Sequence, residues 1–515
     1  MTRKWWTLTA VSAATFMLLL DITVVNVALP SIRADVGASF TDLQWVVDAY
    51  ALTLAALVLT AGSVADRLGR RRVFGAGLAI FTTASFLCAI APDALFLNLA
   101  RAVQGIGGAA MFAVSLALIA QEFAPGRERG TAMGVYGATI GVGVAIGPLV
   151  GGALTDGLGW RSIFYLNVPI GLATLALTAL VVAESRDPHA TRIDRAGVAT
   201  FSTALGLLVL ALVRGNDEGW GSPLILALLG GAAAMLVAFV AVERVVREPM
   251  LPLGLFRRPA FAGVQVAAFA VSGSLFALFL YMTLYLQNEL GLTPFEAGVR
   301  YLPITVASFV AAPVAGALLS RVPARVMLSV ALVGVGVGLL LMHGVDAGSE
   351  WTTLLPGFIV AGLAVGLINP VLADVAVSVV PVRQSGMAAG INDTFRQVGV
   401  ALGVAVWGAI FVGRGADKVA SLTADVPAAH GHSRALVEAA SSGTLDRALA
   451  TAPPAARAPL ADAAHQGFLA GFNDVLLLGG LVALAGAVLA LLLVRERDIE
   501  RSAATAGGVP EAAAA

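Results

Sequence analysis

Long apolar runs, each about the length that crosses a bilayer as a helix, recur along almost the whole of this chain. A helix spanning about 30 Å of hydrocarbon takes roughly 20 apolar residues. With no water to satisfy its backbone, such a run must bond internally and folds as a helix. The runs predict spans over 8–29, 44–65, 73–91, 95–120, 131–156, 161–183, 196–213, 222–242, 260–287, 297–320, 325–343, 352–378, 386–412 and 468–494. Of the 515 residues, 58% are hydrophobic and 12% charged, against about 45–50% and about 25% in water-soluble domains. That excess needs lipid as the outer solvent. The expected fold class is an all-α integral membrane protein with 14 transmembrane helices.

Charge placement tests this count. With the N-terminus inside and the spans alternating, most of the 32 Lys and Arg fall in inner segments, as the positive-inside rule requires. The short outer loops hold Arg33, Arg161, Arg214 and Arg300, while Arg101 and Arg396 fall within spans. An odd number of spans would scramble this asymmetry, so both termini are expected in the cytoplasm. The start, Arg3-Lys4 and an apolar run, is too long for a signal sequence, carries Asp21 and lacks a small-residue cleavage site. It reads as the first span. Residues 414–467 are expected to form a long extracellular loop with room for short amphipathic helices, and 496–515 a disordered cytoplasmic tail.

Several chemistries are disfavoured. The single cysteine, Cys88, allows no disulfide framework. The two lysines, Lys4 and Lys418, lie outside any phosphate-cradling loop, so the chain carries no P-loop ATPase and needs another energy source. Lys+Arg and Asp+Glu balance at 32 each, and nothing points to nucleic acid. His430 and His432 lack further ligands for a metal. No HExxH or GxSxG motif supports an intramembrane enzyme, and the soluble segments are too short for a signalling domain.

The chain repeats itself. Residues 130–154 match 386–410 without gaps at an offset of 256, including Gly143 with Gly399 and Gly147 with Gly403. Gly62–Arg67 aligns with Gly316–Arg321 at an offset of 254. The expected organisation is an N-terminal six-helix bundle over 1–185, two inserted helices over 186–258, and a C-terminal six-helix bundle from 259–413 and 468–495. Two parallel halves around a midplane site suit alternating access.

Four motifs carry charge or close packing. Gly62, Asp66, Arg67, Gly69, Arg70 and Arg71 lie between the second and third spans, where the glycines allow a tight turn and Asp66 can accept from an Arg or a helix N-terminus. This spacing resembles motif A of the major facilitator superfamily. Arg101, Gln104 and Gly105 in the fourth span resemble its motif B. Gly143, Gly147, Pro148, Gly151 and Gly152 in the fifth resemble motif C, typical of exporters; three of the glycines recur every four residues and make one smooth face. Leu20–Pro30 in the first span, with Trp160-Arg161 and Asn167-Val168-Pro169, is similar to the signature of the fourteen-helix drug:proton antiporter branch, the EmrB/QacA type. The resemblance runs over about residues 5–495. It implies a proton-coupled exporter of small hydrophobic or cationic drugs, antibiotics or related metabolites, with no cofactor beyond the proton gradient; abundant Ala, Gly and Arg with few Lys point to a bacterial cell membrane, and a monomer is expected. A dedicated self-resistance exporter of one natural product is the alternative, and an importer of the same fold a weaker one. In the second copy of motif A, Ser320 replaces the acidic residue and Pro323 the glycine, so any latch there is weaker.

Depth singles out two charges. Asp21 lies about nine residues from the outer end of its span, roughly 13 Å, and Arg101 about six residues, roughly 10 Å, from the outer end of its own. Intramembrane charges are costly and face a partner or a wet cavity. Asp21 and Arg101 are therefore expected to share one cavity and to couple proton to substrate. Asp374, Asp393 and Arg396 are secondary coupling candidates near the inner face. Asn26, Trp45, Tyr50, Phe112, Tyr136, Phe276, Tyr281, Met282 and Tyr285 are the candidates to line a soft apolar substrate pocket. Asp48 is expected at the wet outer rim.

Overall fold

The computed structural model describes residues 2–123, 127–186, 194–249, 251–319, 321–380, 385–426, 431–450 and 452–495. Ser320, His430 and the tail 496–515 lie outside them. Among the described residues the structure is helical: α1 Arg3–Val36, α2 Phe40–Leu68, α3 Arg70–Ala89, α4 Ala94–Glu122, α5 Arg127–Leu158, α6 Arg161–Val181, α7 Arg195–Glu218 and α8 Pro223–Val245. There follow α9 Pro259–Val271 and α10 Ala277–Leu284, continued by π-helical turns at Ser272–Phe276 and Tyr285–Glu289. After these come α11 Pro294–Arg300, α12 Leu302–Leu318, α13 Ala324–Met342, α14 Leu355–Ser378, α15 Ser385–Leu422, α16 Ser433–Ser441, α17 Leu445–Leu449 and α18 Pro454–Leu493. Twelve helices in this part of the chain are long and apolar enough to cross a membrane, thirteen if the bent α2 counts as one span. The expected count of fourteen is thus met only as twelve to thirteen. The remaining expected span, 131–156, falls within α5.

Local chemistry sets the ends. Ser39 caps α2 by accepting from the Asp42 amide while Asp42 accepts from the Ser39 backbone, a reciprocal capping box. Asp93 caps α4 by accepting from the Phe96 amide at 2.8 Å. Gly37 closes α1 in the left-handed region at φ 66°, which costs a glycine nothing.

Packing follows the glycines. Gly143, Gly147 and Gly151 of α5 lie in order against Phe16 and Leu19, Thr23, and Val24 of α1, so the two helices run parallel in tight contact. In the second half, Gly399 of α15 lies on Phe269 and Ser272, and Gly403 on Gly273 and Ala277. The positions paired by the sequence repeat therefore make the same kind of contact, each on the helix that opens its own packed group, α1–α6 or α9–α18. α7 lies along the seam between the groups. Its Leu205, Val209 and Val213 pack with Ala51, Leu52 and Ala55 of α2 and with Ala401 and Ala405 of α15.

The two groups meet at the end of the molecule reached by the C-terminus of α1, here termed the far end. There Gln44 Nε2 donates to the Val404 carbonyl at 3.3 Å, Gln287 Nε2 to Val27 at 2.7 Å, and Arg33 Nη1 to Glu438 at 3.3 Å. Gly298 of α11 sits on the backbone of Pro148 and Leu149. Phe40 stacks on Phe411 with centroids 5.9 Å apart. The segment expected to be a loop, 414–467, is largely helical: α15 runs on to Leu422, α18 begins at Pro454, and α16 and α17 lie between. The reason is a small apolar core, in which Leu436, Val437, Leu445 and Leu449 are buried. Asn288 Nδ2 donates to Ser441 at 2.6 Å, and His465 Nδ1 lies 2.8 Å from Glu289 Oε2, tying this cap down.

Candidate functional site

The site is built from α1 outward. Asp21 has apolar sequence neighbours, so its carboxylate must find every partner on other helices. Arg101 Nη1 of α4 donates to Asp21 Oδ2 at 2.5 Å. Gln104 Nε2, one turn on, and Asn167 Nδ2 of α6 each donate to Asp21 Oδ1 at 2.9 Å. Arg101 Nη1 also donates to Gln104 Oε1 at 2.6 Å, and its Nε to the Val46 carbonyl of α2 at 3.0 Å. Gln104 donates to Ser85 Oγ of α3 at 2.8 Å. The guanidinium lies 4.4 Å from the centroid of the Tyr50 ring and 5.8 Å from that of Phe164, a cation–π enclosure. Five helices thus converge on one ion pair.

Glycine makes the convergence possible. A Cβ at Gly105 would fall on Thr53 Oγ1 and the Tyr50 carbonyl, so α4 approaches α2 only with a hydrogen there. A Cβ at Gly107 would lie 2.5 Å from the Phe81 amide nitrogen, which holds α4 equally close to α3.

The network differs from its expected setting. Asp21 and Arg101 are in contact, yet they are 3% and 2% exposed and sealed inside the first group of helices. The expectation of a shared water-filled cavity does not hold in this conformation, because Tyr50, Phe164 and the α3–α4 contact close over the pair. Oδ1 thus takes two donors and Oδ2 one, so three of the roughly four acceptor sites of the carboxylate are filled. Neutralising Asp21 would leave a buried guanidinium without its counter-charge, which is strongly unfavourable.

Motif A forms a second cluster at the opposite, near end. Arg70 Nε donates to Asp66 Oδ1 at 3.0 Å. Arg71 donates its amide to Glu184 Oε1 at 3.1 Å and its Nη2 to the Ala179 carbonyl at 2.6 Å. Gly69 holds φ 115°, and a Cβ there would lie 2.5 Å from the Glu184 carboxylate. Gly62 packs on nothing, and Arg67 is exposed. Gly152 of motif C lies on Pro294 and Phe295 of α11. Pro148 carries Gly298 on its carbonyl, so motif C joins both α1 and the second group.

The remaining candidates are dispersed. Asp374 is exposed; Asp393 and Arg396 are half-buried, one turn apart on α15. Asn26 turns its amide to the Ile22 carbonyl of its own helix at 3.0 Å. Trp45 packs with the α7 seam. Phe112 is half-buried, and Tyr136 accepts from Thr15 at 3.4 Å. Phe276 packs on Phe279. Tyr281 donates to the Val404 carbonyl at 2.7 Å, Met282 is fully buried, and Tyr285 stacks on Phe472 at 4.9 Å. Tyr50, Tyr281, Met282 and Tyr285 therefore fill packed interior in this conformation rather than lining one open pocket. Asp48 is fully buried, not at a wet rim. Sequence reasoning did not assign Ser85 or Glu184, which complete the two polar clusters. Ser85 is a small polar residue within an apolar run and Glu184 opens the polar stretch after one, weak signals without a partner in view.

Comparison with known proteins adds a family. The family model described as Major Facilitator Superfamily matches residues 11–404. The chain is 39% identical over 423 residues to the puromycin resistance protein pur8 of Streptomyces alboniger, covering 81% of this chain and 84% of that protein. It is 33% identical over 513 residues to the tetracenomycin C resistance and export protein of Streptomyces glaucescens, covering 97% and 93%. Among solved structures, a bacterial homolog of the human lysosomal transporter Spinster, in an inward-facing and occupied conformation, superposes with TM-score 0.63 at 17% identity, over 97% of this chain and 99% of that one.

Proposed function

Since the chain belongs to the Major Facilitator Superfamily, a family of multi-pass membrane transporters, we propose that it exports small drug- or antibiotic-like molecules across the bacterial cell membrane in exchange for protons. The single observation that carries the coupling is the Asp21–Arg101–Gln104–Asn167 network: a carboxylate whose protonation would remove the counter-charge of Arg101, buried where four other helices meet α1. The class of cargo is supported by relatives whose names state resistance to puromycin and resistance to and export of tetracenomycin C.

In this reading α5 is the fourteenth span, both termini are cytoplasmic, and the far end is the outer face. Helices α1–α6 form one half and the helices after residue 259 the other, with α7 and α8 inserted between them. The protein works as a monomer. The cycle follows from the network. A proton on Asp21 frees Arg101, loosens α1 against α4 and α6, and changes which end of the seam is favoured. Asp393 and Arg396, on α15, supply charge where a cationic or polar substrate group enters from the inner side, and Phe112, Tyr136 and Phe276 supply apolar surface.

The test is efflux from everted vesicles with an imposed pH gradient. Asp21→Asn keeps the volume and removes the titration. It is expected to insert normally, to bind drug and to lose proton-driven transport. Wild-type efflux by this variant would remove Asp21 from the mechanism. A second reading, export of one natural product, is favoured by the near full-length match to an export protein for a single named antibiotic. A drug panel in the same vesicles separates the two.

A further inference from the structure

In the first group, α3 and α6 lie side by side. They meet closely about midway, where a Cβ on Gly171 would fall on Thr82 Oγ1. About two turns closer to the near end the fit is lost. A Cβ on Gly75 would find only Leu175 Cδ1, 3.9 Å away. The two helices part there and leave a slot of about 350 Å³. Gly75, Leu175 and Thr178 form its inner walls, and Arg71, Arg72 and Glu184 stand at its mouth. The outward faces of the same helices carry exposed apolar side chains, Ile80 and Phe86 on α3 and Leu172 and Leu180 on α6. Such faces need lipid beside them, so the slot lies where hydrocarbon gives way to headgroups.

Two features of the slot point to its occupant. Thr178 is 2% exposed, yet its hydroxyl has no hydrogen-bond partner. A helical threonine ordinarily bonds back to its own backbone. Thr174 does so to Ile170 at 2.7 Å and Thr82 to Leu78 at 2.7 Å. Thr178 does not, and it lines the slot with a donor unspent. The mouth sets two guanidiniums against one carboxylate. Arg71 gives its amide to Glu184 at 3.1 Å and its Nη2 to the Ala179 carbonyl at 2.6 Å. Arg72 reaches Glu184 only through Nε at 3.6 Å, and its side chain is 69% exposed. Positive charge is thus in excess at the mouth. A cationic mouth, a hydroxyl about one turn in and apolar walls behind it match, in that order, the phosphate, the glycerol and an acyl chain of a phospholipid.

We propose that this slot binds one anionic phospholipid, its phosphate on Arg71 and Arg72, a glycerol oxygen on Thr178 and an acyl chain along Gly75 and Leu175, filling the gap between α3 and α6. The exporter reading enters only in making the near end the cytoplasmic leaflet; the site does not depend on what is transported. A zwitterionic lipid brings an ammonium group that the two arginines repel, so the slot selects by headgroup charge. Each arginine beside an anionic headgroup strengthens binding about fivefold.

The test is native mass spectrometry of the full-length protein, stripped of lipid in detergent and titrated with dioleoylphosphatidylglycerol, dioleoylphosphatidylethanolamine or glycerol phosphate. The wild-type chain is expected to hold one phosphatidylglycerol severalfold more tightly than phosphatidylethanolamine, and glycerol phosphate is expected not to displace it. Arg72→Gln should weaken that binding about fivefold. Arg244→Gln, which removes an exposed arginine at the near end of α8, should leave it unchanged. Gly75→Leu fills the slot where a side chain has room, and should abolish tight binding. Thr178→Val keeps the shape, removes the hydroxyl and should weaken binding severalfold, which guards against a general disturbance by the larger leucine. Equal binding of the two lipids by the wild-type chain, displacement by glycerol phosphate, wild-type affinity in Gly75→Leu, Thr178→Val or Arg72→Gln, or an equal loss in Arg244→Gln overturns the site. Binding is read without transport, so a chain that moved no drug would leave the measurement readable, and an unselective slot would leave the efflux result for Asp21 standing.

Discussion

Arg101 is held by four kinds of contact at once, to a carboxylate, an amide, a carbonyl and two aromatic faces, and this sets what replacing it does. Lysine keeps the charge but lacks the planar fork and the stacking. Arg101→Lys should therefore insert yet lose coupled efflux, measured in the vesicle assay. Arg101→Ala leaves Asp21 buried without its counter-charge and should cost about 3–5 kcal/mol, read from thermal unfolding in detergent. Asn167→Ala removes one donor from Asp21 and should cost about 1–3 kcal/mol by the same measurement, less than the loss of Arg101. Asp21 and Arg101 were legible in the sequence because a charge inside an apolar run demands a partner, and their depths agreed; Gln104 was legible through the resemblance to motif B. Ser85 was not, because a lone serine in a helix can simply bond back to its own backbone.

For the helices, small residues govern how closely the elements approach. Gly147 of α5 faces Thr23 of α1 with no room for a Cβ, while Gly157 on the same helix meets nothing. Gly147→Val should overpack the α1–α5 contact and cost about 1–3 kcal/mol, lowering the unfolding temperature, with Gly157→Ala near neutral as the control. Gly69 joins α2 to α3 at φ 115° with Glu184 against it. Gly69→Ala should cost about 1–3 kcal/mol through backbone strain and contact with the carboxylate, and Glu184→Gln should loosen the join without unfolding the bundle. The glycine spacing of motif C was plain in the sequence. That its last members would turn from α1 to α11 was not, since a helical stripe states that something packs close but not what.

Across the whole molecule the far end is a closed gate. Gln287 reaching Val27, Gln44 reaching Val404 and the Phe40–Phe411 stack bind the two groups together there. A bis-maleimide joining Val27→Cys to Gln287→Cys in a Cys88→Ser background should hold that gate shut and stop efflux, while either single substitution, treated alike, continues to transport. Transport by the doubly linked protein would show that the far end need not open. The cap of α16 and α17 over this end was expected as a loop with room for short amphipathic helices, but not where they would lie, because such helices declare themselves through the surface they pack on.

What the sequence determined by itself is whatever lipid imposes on a chain in isolation. Apolar runs of bilayer length must become helices, arginines must gather on one side, and a buried charge must have a partner. What only the tertiary structure decided is which partner and which face. Asp21 is sealed by five helices rather than open to a cavity, and Asp48 is enclosed by an apolar seam rather than wetted at a rim. The position of Asp48 one turn inside α2 is the same in both readings. One of its neighbours is Tyr281, more than two hundred residues away, and nothing local in the chain encodes that meeting.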